Sequence, residues 1–305
     1  MKAEVIGRKS IKFTNSLVNN TVLIIIVALI AFAGYALWDS KQLHYAADKS
    51  HYAVYKPTVE DEGKSFKELQ AINDEVFAWL TVYGTNIDYP VTQGPDNMKY
   101  VNTNAEGQYS LSGAIFLDYN SSKDFSDFSS ILYGHHMAKK VMFGELDEFA
   151  DRNVFDTHRY GNLYFNEKDH GIEFFAFLHT DAYDSDVFTS NVKGEKRQIY
   201  LDGLLEKAMH IRDIGVTIED RIILLSTCSE TTTNGRDILV GRLSDETYDN
   251  QSVMDTNGGS ESTLSGNRDT LVKTIPLWAI LLILILAVFL IVRTLEIYSN
   301  RGNVK

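Results

Sequence analysis

The residues in this chain whose types and positions could do chemistry are a single cysteine, a histidine pair and one arginine, each at the edge of an apolar run. Cys228 closes the run Ile222-Ile223-Leu224-Leu225-Ser226-Thr227, so a buried strand would deliver its thiol to the rim of a fold. A rigid element fixes the atom there, and the rim admits a reactant. A thiol with its ordinary pKa of about 8.5 is mostly protonated at neutral pH and needs a base or cation beside it to become a nucleophile. His135 and His136 stand in Tyr133-Gly134-His135-His136-Met137, directly after the apolar pair Ile131-Leu132, with a glycine that lets the backbone turn. Arg236 heads the run Asp237-Ile238-Leu239-Val240, and a fixed guanidinium beside the thiol could hold the oxyanion of a tetrahedral intermediate.

Each residue also has a plainer reading. A lone cysteine is commonly a small buried hydrophobe, a lone histidine a cap or surface group, and an arginine opening a strand a solvated charge. The three together, all at strand ends, point to nucleophilic acyl chemistry. Metal binding competes for cysteine and histidine, but no CxxC, HxxxH or HExxH spacing occurs, and adjacent histidines on an extended chain face opposite ways. No glycine-rich phosphate loop is evident, so neither metal nor cofactor is implied.

The elements that must hold these residues read as mainly β. Short β-type runs appear at 87–91, 113–118, 129–134, 162–165, 172–179, 221–227 and 237–243, and so many short strands suggest a barrel or a sandwich. Apolar spacing near three and four predicts a helix over 66–80, with Phe66, Leu69, Ile72, Val76, Phe77 and Leu80 on its buried face. Further helical patterns cover 142–149 and 197–211, the latter with Ile199, Leu204, Leu205, Ala208 and Ile211 on one side.

Two uncharged hydrophobic spans, 21–38 and 275–292, have the length of membrane-crossing helices. Ala31-Phe32-Ala33 in the first has the small-x-small form of a signal-peptidase site, but the stretch is long for a signal peptide and reads as an uncleaved anchor. Lys2, Arg8, Lys9 and Lys12 precede the first span, and Arg293, Arg301 and Lys305 follow the second. The positive-inside rule then places 1–20 and 293–305 in the cytoplasm and 39–274 outside. Between the spans lie a polar, partly helical stalk over 39–65, a folded domain over 66–244, and a Ser/Asn/Asp/Gly-rich tether over 245–274 with little to bury. The chain carries a net charge of −12, and the part between the spans is more acidic still, which excludes nucleic acid as a partner. With one cysteine in an oxidising compartment, no disulfide framework exists within the chain.

On these motifs the sequence resembles the class B sortases. Leu225-Ser226-Thr227-Cys228 matches the Thr-Leu-x-Thr-Cys signature from its second position, with Leu224 where threonine is usual. Tyr133 to Met137 matches the histidine motif, and Arg236 before Asp237-Ile238-Leu239-Val240-Gly241 matches the arginine strand. The stretches 72–97, 113–118 and 142–146 agree in order and spacing, and the helix between the sixth and seventh strands is a class B trait. The resemblance covers about residues 66 to 244. It implies a closed eight-stranded β-barrel with peripheral helices, here flanked by two transmembrane helices. It further implies a cysteine transpeptidase with Cys228, His135 and Arg236 as catalytic residues, and Asn97, Val101, Ser226 and Ser229 lining the substrate groove. Its partners would be the sorting-signal peptide of a surface protein or pilin, and an amine acceptor, either a pilin lysine or a peptidoglycan cross-bridge. The second membrane span is similar to that of pilus-building sortases. Hydrolysis by the same residues, as in a cysteine peptidase, and a non-catalytic tethered binding module are the other readings the residues leave open.

Overall fold

The computed structural model describes residues 2–58, 62–228 and 234–250, with side chains described for 14–38, 47–58, 62–227 and 234–250. The chain divides into a compact unit from Leu43 onward and a second unit whose described part is a helix up to Gln42. That helix, α1 (Lys2–Ala47), contains Thr14–Trp38, a 25-residue stretch of mean hydropathy 2.5 that is long and apolar enough to cross a membrane. Its large side chains are exposed, Ile24 and Phe32 among them. The span expected at 275–292 lies outside the described residues.

In the compact unit, short α2 (Lys49–Tyr52) and α3 (Lys64–Ile72) lead into β1 (Val76–Val82), β2 (Asp88–Thr92), β3 (Ile115–Leu117) and β4 (Ser129–Tyr133). A two-residue hairpin follows, β5 (His136–Met137) with β6 (Val141–Met142), then α4 (Arg152–Thr157), β7 (Tyr160–Phe165) and the long β8 (Lys168–Asp181). The unit closes with α5 (Lys196–Lys207), β9 (Ala208–Ile211), β10 (Arg221–Cys228) and β11 (Gly235–Ser244). The main sheet runs β11-β10-β4-β3-β2-β1-β7-β8-β9, and β11 also pairs with β8. Eight strands therefore close into a barrel, as the resemblance implies, and β9 adds an outer strand to β8. Closure leaves no exposed barrel edge, which removes the aggregation liability of an open sheet.

Two cores flank the strands that matter most. Alternation along β10 sends Ile223 and Leu225 into the barrel interior with Phe174, Phe177 and Leu239. Ile222 and Leu224 go instead to an outer cluster under Tyr200, Leu201 and Leu204 of α5. Burial on both faces is why these strands read as unbroken apolar runs, and each fully buried leucine contributes about 1.5–3 kcal/mol.

Three expected helices are corrected. The pattern at 66–80 is a helix only to Ile72, because Asn73 leaves helical backbone at φ −141. The Asn73 amide is committed to the Tyr100 hydroxyl and the Ala105 carbonyl, and residues 76–82 pair as β1 with β2 and β7. The pattern at 142–149 is the end of β6 followed by a 3-10 turn over Leu146–Ala150. The pattern at 197–211 stops at Lys207, because 208–211 finds hydrogen-bonding partners on β8. Its buried face is Tyr200, Leu201 and Leu204, whereas Ile199 and Ile211 are exposed.

Packing also extends beyond the expected limits of the domain. Ala47 and Tyr52 belong to the barrel core, and the Tyr89 hydroxyl donates to the Ala47 carbonyl at 3.0 Å. At the other end, the first residues of the expected flexible tether are packed. Gly171 N donates to the Glu246 carbonyl at 3.0 Å, and Tyr248 stacks on Tyr160 with ring centroids 4.3 Å apart. The remainder of the tether, from 251, lies outside the described residues.

Candidate active site

The register of three strands brings the sequence-predicted residues to one end of the barrel. β10 runs parallel to β4, with Ser226 opposite Tyr133, and antiparallel to β11, with Cys228 opposite Arg236. The end of β4, the end of β10 and the start of β11 therefore share a rim. There they border a groove of about 360 Å³ lined by Asn97, Val101, His135, Ser226 and Arg236, all singled out from sequence, together with Thr227. Ser229 lies outside the described residues, and Cys228 is described through its backbone position alone.

Just past β4, the backbone needs glycine at 134: a Cβ there would stand 2.7 Å from the Phe143 ring, which packs directly against it. Gly134 N continues the parallel ladder by donating to the Ser226 carbonyl at 3.2 Å, and the His135 carbonyl accepts from Phe143 N at 3.0 Å. The His135 ring is half-buried, and its Nε2 lies 2.8 Å from the Val101 carbonyl oxygen. A carbonyl only accepts, so Nε2 carries the proton. His136 turns into the β5–β6 hairpin, where its Nε2 sits 3.4 Å from an Asp147 carboxylate oxygen. The two adjacent histidines thus have separate surroundings.

Arg236 is half-buried on β11 and donates from Nη1 to the Gly235 carbonyl at 2.9 Å. Its charge reaches across the groove to Tyr133, where it opposes the upward shift of the phenol. That shift comes first from burial and then from the Asp118 carboxylate, so the phenol stays protonated and donates.

Several lining residues are not among the site residues read from the sequence, although Tyr133 opens the histidine motif. Phe116, Tyr133, Ala182 and Phe188 make the groove largely apolar, with Tyr133 stacked on Phe188 at 6.4 Å and tilted against Phe116 at 5.4 Å. Buried Asp118 ties two walls together. Its Oδ2 accepts from Asn97 Nδ2 at 2.7 Å and from the Tyr133 hydroxyl at 3.2 Å, while Asn97 Oδ1 accepts from Tyr119 N at 3.0 Å. Asn97 is therefore held on the groove wall by its own amide. The hydroxyls of Ser226 and Thr227 are buried with no hydrogen-bond partner among the described residues. Buried polar atoms of this kind are normally satisfied.

This end of the barrel can hold a thiol between an imidazole of fixed tautomer and a guanidinium, beside an apolar trough with a few placed polar atoms. Such a set suits nucleophilic attack on a peptide carbonyl.

Comparison with known proteins agrees. No family model matches the chain. Sortase B of Staphylococcus aureus is 29% identical over 228 residues, covering 69% of this chain and 91% of that protein. The crystal structure of sortase B from the type II pilus of Streptococcus pneumoniae is 48% identical, covers 59% of this chain and 99% of its own, and superposes with a TM-score of 0.53. A Streptococcus pyogenes class B sortase involved in pilus biogenesis is 41% identical, with coverages of 60% and 99% and a TM-score of 0.55.

Proposed function

This chain belongs to the class B sortases, cysteine transpeptidases that process surface proteins or pilins, and on that footing we propose which residues do what and where the enzyme works. Cys228 is the nucleophile. Its thiolate attacks the scissile carbonyl of a sorting signal, and Arg236, with a backbone N–H after the cysteine, steadies the oxyanion. The C–N bond breaks as His135 gives its proton to the departing amine, leaving a thioester on Cys228. An incoming amine then attacks the thioester carbonyl, His135 takes up the proton, and the C–S bond breaks to return the thiolate. Asn97, Val101, Ser226 and Ser229 bind the peptide, with Tyr133 and Phe188 giving the apolar walls.

The observation that carries this reading is the shared rim: Cys228 opposite Arg236 on neighbouring strands, and His135 two residues beyond the strand on the other side. Trapping the acyl-enzyme by mass spectrometry tests it. Incubation with a panel of sorting-signal peptides should add one acyl mass to the wild type and none to Cys228→Ala. Absence of the adduct across the panel, with the protein folded, would overturn the assignment.

The enzyme is membrane-associated, with α1 as its anchor and a second span at 275–292 that places both termini in the cytoplasm and the barrel outside. Two anchors would hold it beside membrane-tethered precursors and raise their effective concentration. That topology, together with the pilus sortases among its relatives, favours pilin polymerisation, with a pilin lysine as acceptor, over attachment to peptidoglycan. Supplying each amine separately and weighing the products distinguishes the two, and product formed only with water would instead mark a hydrolase.

A further inference from the structure

Resting on the reading of His135 as the acid–base group, we propose that residues 98–105 are a positioning element. Its buried hub at Tyr100 and its seat on Gly113 hold the Val101 carbonyl in place, so that His135 keeps one proton on Nε2 and exchanges its working proton only through Nδ1. The Nε2 to carbonyl distance of 2.8 Å fixes the neutral tautomer, because the acceptor has no proton to offer. In the imidazolium the same bond persists, and the second proton sits on Nδ1. The proton passed to the leaving amine is then the Nδ1 proton, and Nδ1 is also the atom that receives one from the acceptor.

A single backbone carbonyl selects a tautomer only if it cannot move away, and four features prevent that. Tyr100 is fully buried, and its hydroxyl donates to Glu75 Oε2 at 2.6 Å while accepting from Asn73 Nδ2 at 2.9 Å. Asn73 Nδ2 also donates to the Ala105 carbonyl at 3.0 Å, so one side chain ties both ends of the segment to the start of β1. The Tyr100 carbonyl accepts from Ala114 N at 3.0 Å. Finally, Gly113 lies at φ +59, and a Cβ there would stand 2.7 Å from the Val101 oxygen and closer still to the Tyr100 oxygen. The segment therefore rests directly on glycine backbone, in a conformation that disfavours any other residue.

Tyr100, Asn73, Glu75 and Gly113 touch no reacting atom, so they act through His135. The test uses the full-length protein in detergent with 15N-labelled histidine, His135 being assigned by its disappearance in His135→Gln. Long-range 1H–15N spectra above the histidine titration should show a protonated Nε2 and a bare Nδ1 for His135. Tyr100→Phe leaves Asn73 bonded to Ala105 and Glu75 bonded to Lys99, whose Nζ lies 2.6 Å away, so it should fold. It should show a mixture of tautomers, with kcat down about tenfold and KM kept, a fraction of the 10²–10⁴ that acid–base catalysis supplies. Gly113→Ala, whose Cβ would stand 2.7 Å from the Val101 oxygen and displace it, is the independent second variant. A proton on Nδ1 in the wild type overturns the proposal, as does a Tyr100→Phe enzyme with unchanged tautomer and unchanged kcat. Failure of the premise is separately visible as full turnover in His135→Gln.

Discussion

Replacing Asp118 by asparagine should loosen the groove without touching the reacting groups. The carboxylate is buried and accepts three hydrogen bonds: two at Oδ2, from Asn97 Nδ2 and the Tyr133 hydroxyl, and one at Oδ1, from Asn120 N at 2.9 Å. An amide turns one of those oxygens into a donor. With its oxygen toward Asn97 and Tyr133, the new NH2 group faces Asn120 N; flipped, it faces two donors. The better rotamer loses one bond to a charged acceptor, about 1.5–3 kcal/mol. It also demotes the other two from charge-assisted to neutral, which roughly halves them. The expected destabilisation is about 3–6 kcal/mol, or about 6–24 °C in melting temperature for a domain of this size.

The same change frees Asn97 and Tyr133 to reorient. Losing one oriented peptide contact of about 1–1.4 kcal/mol raises KM about five- to tenfold, while kcat should stay within about threefold because neither side chain is assigned a part in the bond-making steps. Thermal unfolding of the full-length protein in detergent, alongside turnover of a fluorogenic sorting peptide, measures both. An Asp118→Asn enzyme that melts with the wild type and keeps its KM would refute the cross-tie. A large fall in kcat at constant KM would refute its assignment to binding.

Two further outcomes follow from the geometry. Arg236→Ala should lower kcat by about 10²–10³ with KM little changed, and Arg236→Lys should recover little of it, because an ammonium keeps the charge but not the planar fork; single-turnover acylation rates test this. Burial against Phe165, with ring centroids 3.9 Å apart, holds the His170 imidazole below its ordinary value of 6.5. The unfolded chain then binds the proton more readily, so this contribution to stability is present above pH 6.5 and is lost as pH falls below it. Melting curves from pH 8 to 5 should show that decline in the wild type and a shallower one in His170→Gln, and parallel curves would contradict it.

The strands that carry the site were legible in the sequence for a physical reason. β4, β10 and β11 are buried on both faces, so Ile131-Leu132, Ile222 to Leu225 and Ile238 to Val240 appear as unbroken apolar runs that only a sheet between two cores would need. β1 was misread as helix because Val76, Phe77 and Leu80 fall by coincidence at helical spacing beside a true helix. Only the non-local pairing with β2 and β7 decides between the two. The helical pattern over 208–211 misleads in the same way, since those residues pair with β8 as β9. The least legible features are the ties between distant residues: Asp118 to Asn97 across the β2–β3 loop, and His135 to Val101. Phe188 faces the groove from a segment with no motif at all.

What turns three separate strand-end residues into one site is the direction of a single pairing. Cys228 ends its strand, His135 follows the end of its own, and Arg236 stands near the start of the third. β10 lies between the other two, parallel to β4 and antiparallel to β11, in a barrel whose other pairings are mostly antiparallel. Parallel pairing brings two strand ends to the same rim, and antiparallel pairing brings an end and a start together. Had β10 paired antiparallel with β4, His135 and Cys228 would be separated by the length of a five-residue strand, about 17 Å, with no proton transfer between them. The long excursion between β4 and β10, through β7, β8 and α5, is what a parallel pair requires, since two parallel neighbours cannot be joined by a tight turn. The loop between β8 and α5 in that excursion also contributes Ala182 and Phe188 to the groove. The connection that makes the catalytic register possible therefore also supplies part of the wall that selects the peptide.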